Sequence, residues 1–209
     1  MEKKKKLLPF LALLSCLLWL SCNEEPSPPD EVESRFAEVP YPTPNVAVDS
    51  VNEVLGVILH HTALPTVEDA LRELTRPRGV SSHTVVDTDG TRYILAPIEA
   101  VTYHAGLSIL NGRERCNIFC IGLEFQGNTA QTPLTPAQIA SGVEFLLPIV
   151  TSHHIPLENI VTHKTVRDNF MHQHPEKRCK DKVDLSTHEY IRFMDALKSA
   201  LDSLEATTE

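Results

Sequence analysis

Two histidines stand at the ends of apolar runs. His60 follows Val54-Leu-Gly-Val-Ile-Leu59, with His61 beside it, and His163 follows Ile160-Val161-Thr162. A buried strand that ends in histidine presents an imidazole from a rigid scaffold. Adjacent strand residues point to opposite faces, so only one of His60 and His61 can serve a given site. Two such histidines, joined by a carboxylate or a thiolate, make a three-ligand zinc site with one open position. Zinc in such a site lowers the pKa of a water from 15.7 to about 7 and polarises a carbonyl. By spacing alone, the plainer reading of histidines satisfied inside a core outweighs the metal reading.

Other residues carry weaker signals. Glu124 lies in Ile121-Gly-Leu-Glu-Phe125. On a strand it shares a side with Gly122 and Gln126, while Ile121, Leu123 and Phe125 point the other way. A carboxylate in so apolar a strand is costly to bury without a partner or a purpose. The bland alternative is a salt-bridged edge residue. Cys116 and Cys120 flank Asn117-Ile-Phe119. With Cys179 alone they are too few and too close for a zinc knuckle, and structural thiols or a local disulfide both stay open. His172 and His174, with Lys177, Arg178 and Lys180, read as a solvated loop or short surface helix rather than a second metal site. His153 and His154 end a long helix, where a cation suits the dipole. His188 reads as a surface residue of the last helix.

The elements that must position these residues are legible from caps and turns. Thr66 to Arg76 is helix-like, with Thr66 as cap. Ser82 to Val86 and Thr91 to Ala96 flank Asp87-Thr-Asp-Gly90 and read as a hairpin. Ile118 to Phe125 and Asn159 to Thr162 read as strands. Thr135-Pro136-Ala-Gln138 opens a helix to about His153, and Ser186-Thr-His-Glu189 opens another to about Leu204, each as a capping box. Strands interleaved with helices predict an α/β domain, a sheet covered by helices.

The chain has 209 residues, 42% hydrophobic and 22% charged, which suits one domain with appendages. Its formal charge of −9 argues against non-specific nucleic-acid binding. Lys3 to Lys6 precede an apolar stretch, Leu7 to Leu20, too short for a membrane span. Leu20-Ser21-Cys22 then resembles a bacterial lipoprotein signal, with lipid on the Cys22 thiol. Leu14-Ser15-Cys16 is a second candidate that would leave an apolar tail. Residues 1–21 are thus expected to be a signal peptide, 22–47 a Pro/Glu-rich tether and 48–205 the folded domain. Cleavage would leave 15 basic and 27 acidic side chains, a formal charge of −12. Three cysteines would remain beyond Cys22, and an odd number cannot all pair within one chain. The expected location is the bacterial cell envelope, with the protein exported, membrane-anchored and monomeric.

Five motifs in order give a more specific signal. They are Val57-Ile-Leu-His-His-Thr-Ala63, Gly79-Val-Ser-Ser-His-Thr-Val-Val-Asp-Thr-Asp-Gly90, Tyr103-His-Ala-Gly106, Gly112-Arg-Glu-Arg-Cys-Asn117 and Ile121-Gly-Leu-Glu-Phe-Gln-Gly127. Together they resemble the zinc-dependent N-acetylmuramoyl-L-alanine amidases, and most of all the branch that cleaves anhydromuramyl peptides. The resemblance spans about Val54 to Leu201. It implies a single domain with a mixed β-sheet flanked by α-helices. It also implies Zn2+ held by His60, His163 and a third ligand. Lys182-Val183-Asp184 fits the Asp-bearing triplet of the anhydromuramyl branch, delayed by an insertion from about Asp168 to Lys180. Lys177-Arg178-Cys179 fits the Cys-bearing triplet of other branches. Asp184 is preferred, because the remaining motifs belong to the Asp branch. By the same resemblance Glu124 is the catalytic glutamate and Lys182 stabilises an oxyanion. His83 and His104 are expected to line the cleft and contact substrate.

The resemblance thus implies hydrolysis of the amide between N-acetylmuramic acid and L-alanine in peptidoglycan or muropeptides. Two rivals stay open at this point. One is a peptidoglycan-binding protein of the same fold without catalysis, favoured if Lys182, Asp184 and Glu124 are displaced from the metal. The other is a zinc peptidase cutting within the stem peptide.

Overall fold

Six strands build a mixed sheet in which two adjacent inner strands carry the apolar runs. The computed structural model describes residues 34–179 and 184–208. In chain order the sheet strands are β1 (Glu38–Pro40), β3 (Gly56–His61), β4 (Thr84–Val86), β5 (Arg92–Ile94), β9 (Cys120–Phe125) and β10 (Ile160–Thr162). They lie in the spatial order β1-β5-β4-β9-β3-β10. β3 is parallel to both β9 and β10, β9 is parallel to β4, and β4–β5 is the expected antiparallel hairpin. Two smaller ribbons pair β2 (Val46–Val51) with β6 (Ala100–Thr102), and β7 (Ile109–Leu110) with β8 (Arg113–Glu114).

Period-two alternation splits the side chains between two helical layers. Val57, Leu59, Ile121, Leu123 and Phe125 face α2 (Pro136–Ser152) and α4 (Thr187–Thr208), and pack on Leu146, Ile149, Phe193 and Leu197. Phe125 and Phe193 meet edge-on, with centroids 5.3 Å apart. On the opposite face Ile58 and Val161 meet Val166 of α3 (His163–Gln173), and Val85 meets Leu71 and Leu74 of α1 (Val67–Leu74). The fold class read from the sequence therefore holds, with helices on both faces of a mixed sheet.

The caps act as read. Thr66 Oγ1 accepts from the Asp69 amide at 3.2 Å. Thr135 and Gln138 close a full capping box, with both bonds at 3.0 Å. At α4 the Glu189 amide reaches Ser186 Oγ at 3.4 Å, but the buried Glu189 carboxylate turns away from the cap. It accepts from the Leu134 amide at 3.0 Å and from Arg192 at 2.6 Å, so a tertiary bond replaces half of the box.

Two features differ from the sequence reading. Helix α3 begins at His163 itself and runs through the first part of the expected insertion. Thr162 caps it, its Oγ1 accepting from the Thr165 amide at 3.3 Å. Secondly, the sheet takes in residues assigned to the tether. β1 pairs in parallel with β5, Thr43 and Asn45 are buried, and Arg92, 2% exposed, gathers Ser34, Glu38 and Glu144. Of the two readings left open for Cys116 and Cys120, the structure shows buried free thiols. The signal peptide, Cys22, the tether up to Glu33, and Lys182 lie outside the described residues. No helix among the described residues is long and apolar enough to cross a membrane.

Candidate metal centre

The parallel register sets the site. His60 on β3 pairs with Glu124 on β9, and Ile58 with Gly122, so these four residues share one face of the sheet. On the other side of β3, β10 pairs Thr162 with Leu59, and the next residue, His163, opens α3 beside His60. The two imidazoles stand edge to face with centroids 4.9 Å apart. Asp184 enters just ahead of α4, its Oδ1 3.7 Å from His60 Nδ1. His60, His163 and Asp184 are all buried, and each offers a ligand atom within 4.8 Å of the others.

This trio fits zinc. Tetrahedral coordination at 2.0–2.2 Å requires ligand atoms about 3.3 Å apart, a small closure from the observed spacing. Two imidazoles and a carboxylate form a donor set suited to that ion. Asp184 Oδ2 is buried without a hydrogen-bond partner, a cost that a cation would relieve. Burial alone would raise the Asp184 carboxyl. The neighbouring His60 and His163 and a bond from the Lys164 amide outweigh it and hold the group below its ordinary range. That amide belongs to the first turn of α3, where the helix dipole favours an anion. Cys179, half-buried, is not part of the trio.

The paired histidines divide as the strand period requires. His61 Nδ1 accepts from the Thr129 amide at 3.0 Å. Thr129 Oγ1 in turn accepts from the Ser186 amide at 2.8 Å and lies 3.3 Å from the Asp184 carbonyl. The second histidine thus anchors the segment that carries Asp184.

The trio opens on a cleft of about 230 Å³, also lined by Glu124, His104 and Val80. Glu124 is 9% exposed, at the cleft edge of its strand. This is an arrangement for hydrolysis: a candidate cation site beside a second carboxylate that can take a proton.

The profile of the N-acetylmuramoyl-L-alanine amidase family matches residues 50–184, ending on Asp184. The chain belongs to that family. This amidase-family chain is 33% identical over 87 residues to the 1,6-anhydro-N-acetylmuramyl-L-alanine amidase AmpD of Enterobacter cloacae, over 42% of its own length and 46% of that protein's. It is 30% identical over 125 residues to the N-acetylmuramoyl-L-alanine amidase AmiD of Escherichia coli K12, covering 53% and 45%. The chain spans about half the length of the curated relatives it matches. A solved AmpD superposes with a TM-score of 0.55 at 21% identity, covering 77% of this chain and 94% of that one. AmiD from E. coli, solved with anhydro-N-acetylmuramic acid-L-Ala-D-γ-Glu-L-Lys, superposes with a TM-score of 0.50 at 27% identity, covering 59% and 53%.

Among the site residues expected from the sequence, the amidase fold gathers His60, His163, Asp184 and Glu124 around one cleft. His83 is placed differently. It is fully buried and does not line the cleft. Its Nε2–H donates to the Ala100 carbonyl at 2.9 Å and its Nδ1 accepts from the Gly122 amide at 2.9 Å. Burial pushes its pKa down to about 4, so it is a neutral cross-link rather than a substrate contact. His104 borders the cleft but spends both ring nitrogens on protein partners. His174 pairs with Glu114 at 2.8 Å, away from the trio. Two contributors were missed. Thr129 is one, hidden because its bonds are long-range. Asn117 is the other, and it ends the quoted Gly112–Asn117 motif. Its Oδ1 accepts from the amides of His104 and Ala105 at 3.1 and 2.7 Å.

Proposed function

We propose that this chain hydrolyses the amide between the lactyl group of N-acetylmuramic acid and L-alanine, in peptidoglycan or its fragments. The observation that carries the reading is the buried His60–His163–Asp184 trio opening on the cleft that Glu124 also lines. The activities of AmpD and AmiD, and the muropeptide bound to AmiD, support the choice of bond.

In this reading His60, His163 and Asp184 hold one zinc ion. When bound, it activates water and polarises the scissile carbonyl. Glu124 orients the attacking water and accepts its proton, then returns that proton to the leaving amine of L-alanine. Lys182 is the residue proposed to face the developing oxyanion, on the strength of its triplet with Asp184. The acidic chain offers no general attraction for an anionic polymer, so recognition falls to local sugar and peptide contacts. The basic run, apolar stretch and Cys22 support a further proposal, a lipid anchor that holds the domain at the envelope. Fatty-acid labelling lost in Cys22→Ser would bear that out, and labelling retained would remove it.

The test of the main reading is a muropeptide digest followed by mass spectrometry. The expected products are free peptide beginning at L-alanine and the intact lactyl-ether sugar, abolished by a chelator and restored by zinc. Muropeptide binding by the zinc-loaded protein without cleavage would replace this reading with the binding one. Cleavage within the stem would replace it with the peptidase.

A further inference from the structure

The proton positions around the metal trio follow from hydrogen-bond accounting. A neutral imidazole has one donor nitrogen and one acceptor nitrogen. His104 Nε2 lies 3.2 Å from the Cys120 carbonyl, and His104 Nδ1 lies 3.2 Å from His60 Nε2. A carbonyl only accepts, so His104 Nε2 must carry the proton. His104 Nδ1 is then the acceptor, and His60 Nε2 must donate to it. The lone pair of His60 therefore sits on Nδ1, the nitrogen that faces Asp184 Oδ1 at 3.7 Å.

We infer that His104 is a positioning residue that fixes the tautomer of His60, so that Nδ1 is the ligating atom. The relay runs from the Cys120 carbonyl through His104 to His60, in place of the carboxylate or lone carbonyl that commonly orients a ligating histidine. It is rigid at each joint. Cys120 is the first residue of β9, and the neighbouring Gly122 leaves room for the His104 ring to lie against the strand. Asn117 pins the backbone on which His104 sits, accepting from two successive amides. His104 is 6% exposed, with both nitrogens engaged, which leaves no ring atom for a substrate contact. The expectation from the motif, a cleft residue that touches substrate, gives way to a device behind the ligand. The inference depends on the metal assignment of His60 but not on which amide is cut.

Three variants of the full chain separate the relay from mere packing. His104→Gln can still donate to Cys120 and accept from His60, whereas His104→Phe and His104→Leu fill the space with no polar atom. Zinc affinity is read by competition with a chromophoric chelator, and folding by circular dichroism. The expected result is a 10- to 100-fold weaker zinc site in the folded Phe or Leu variant, the usual worth of an outer partner, with most of the loss recovered by Gln. Affinity within about twofold of wild type in a folded Phe or Leu variant overturns the relay. So does a Gln variant no better than Phe. Long-range 15N–1H spectra of the zinc-loaded wild type give a reading that needs no variant. They should show His60 protonated on Nε2, and a proton on Nδ1 overturns the inference. A wild type that binds zinc with this tautomer yet cleaves no muropeptide would refute the proposed function and leave the relay standing.

Discussion

Gly122→Ala tests the close packing behind the metal trio, because the effect expected from the backbone has the opposite sign. An alanine Cβ at this position would stand 2.7 Å from His104 Cγ and from Ser82 Oγ, and 2.8 Å from His104 Nδ1. Ordinary contact begins near 3.4 Å, so the imidazole would have to retreat by about 0.7 Å. His104 is buried and held at both nitrogens, and overpacking of this kind costs about 1–3 kcal/mol. Gly122 does not have a left-handed φ. On unfolded-chain entropy alone, Gly→Ala would therefore stabilise by about 0.4–1 kcal/mol. The structure predicts net destabilisation, a loss of roughly 2–4 °C in melting temperature per kcal/mol for a chain of this size. A retreat of 0.7 Å is also enough to open the 3.2 Å bond between His104 and His60, so zinc affinity should fall by about tenfold. Thermal melts of the apo protein and chelator competition read the two effects separately. An alanine variant that melts higher than wild type, with zinc affinity unchanged, would refute the reasoning.

Glu124→Gln preserves size and zinc content but cannot accept a proton. Turnover should fall by about 100- to 10,000-fold, and near-normal turnover would remove the general-base role. Asp184→Asn should lose bound zinc while Cys179→Ser keeps it, as metal analysis of the two purified variants can decide; the reverse pattern would move the third ligand to Cys179. His83 gives a pH dependence with a definite sign. Its folded pKa, about 4, lies below the ordinary 6.5, so between those values the unfolded chain takes up a proton that the folded chain refuses. Stability is full above pH 6.5 and declines as the pH falls toward 4, by roughly 3 kcal/mol in all. Denaturant midpoints that stay flat over that window in the wild type would contradict this, and His83→Gln should flatten the slope.

What the sequence could and could not say about this site follows the range of the interactions involved. Caps are local, so Thr66 and the Thr135–Gln138 box were legible, and so was the Ser186 half of the second. The partner of Glu189 was not, because Leu134 lies far off in the chain. The alternation of Ile121 to Phe125 correctly placed Glu124 with Gly122, since both faces of β9 are defined by its own residues. Helix α3 was harder, because only Val166 and Phe170 are buried beyond His163, too few apolar positions to set a period against the surrounding polar residues. The two motif histidines, His83 and His104, show the limit most clearly. Each is short-range in sequence terms, a histidine in a run that resembles the family, and each invites a substrate role. Their real work is decided by which carbonyl lies opposite them, Ala100 for one and Cys120 for the other. Those carbonyls come from elements brought in by the fold. A motif records that an imidazole is needed at a position. Whether it ligates, braces or contacts substrate depends on how many of its two nitrogens the fold has already engaged. At His104 the answer is both, which is why the residue belongs behind His60 rather than in front of it.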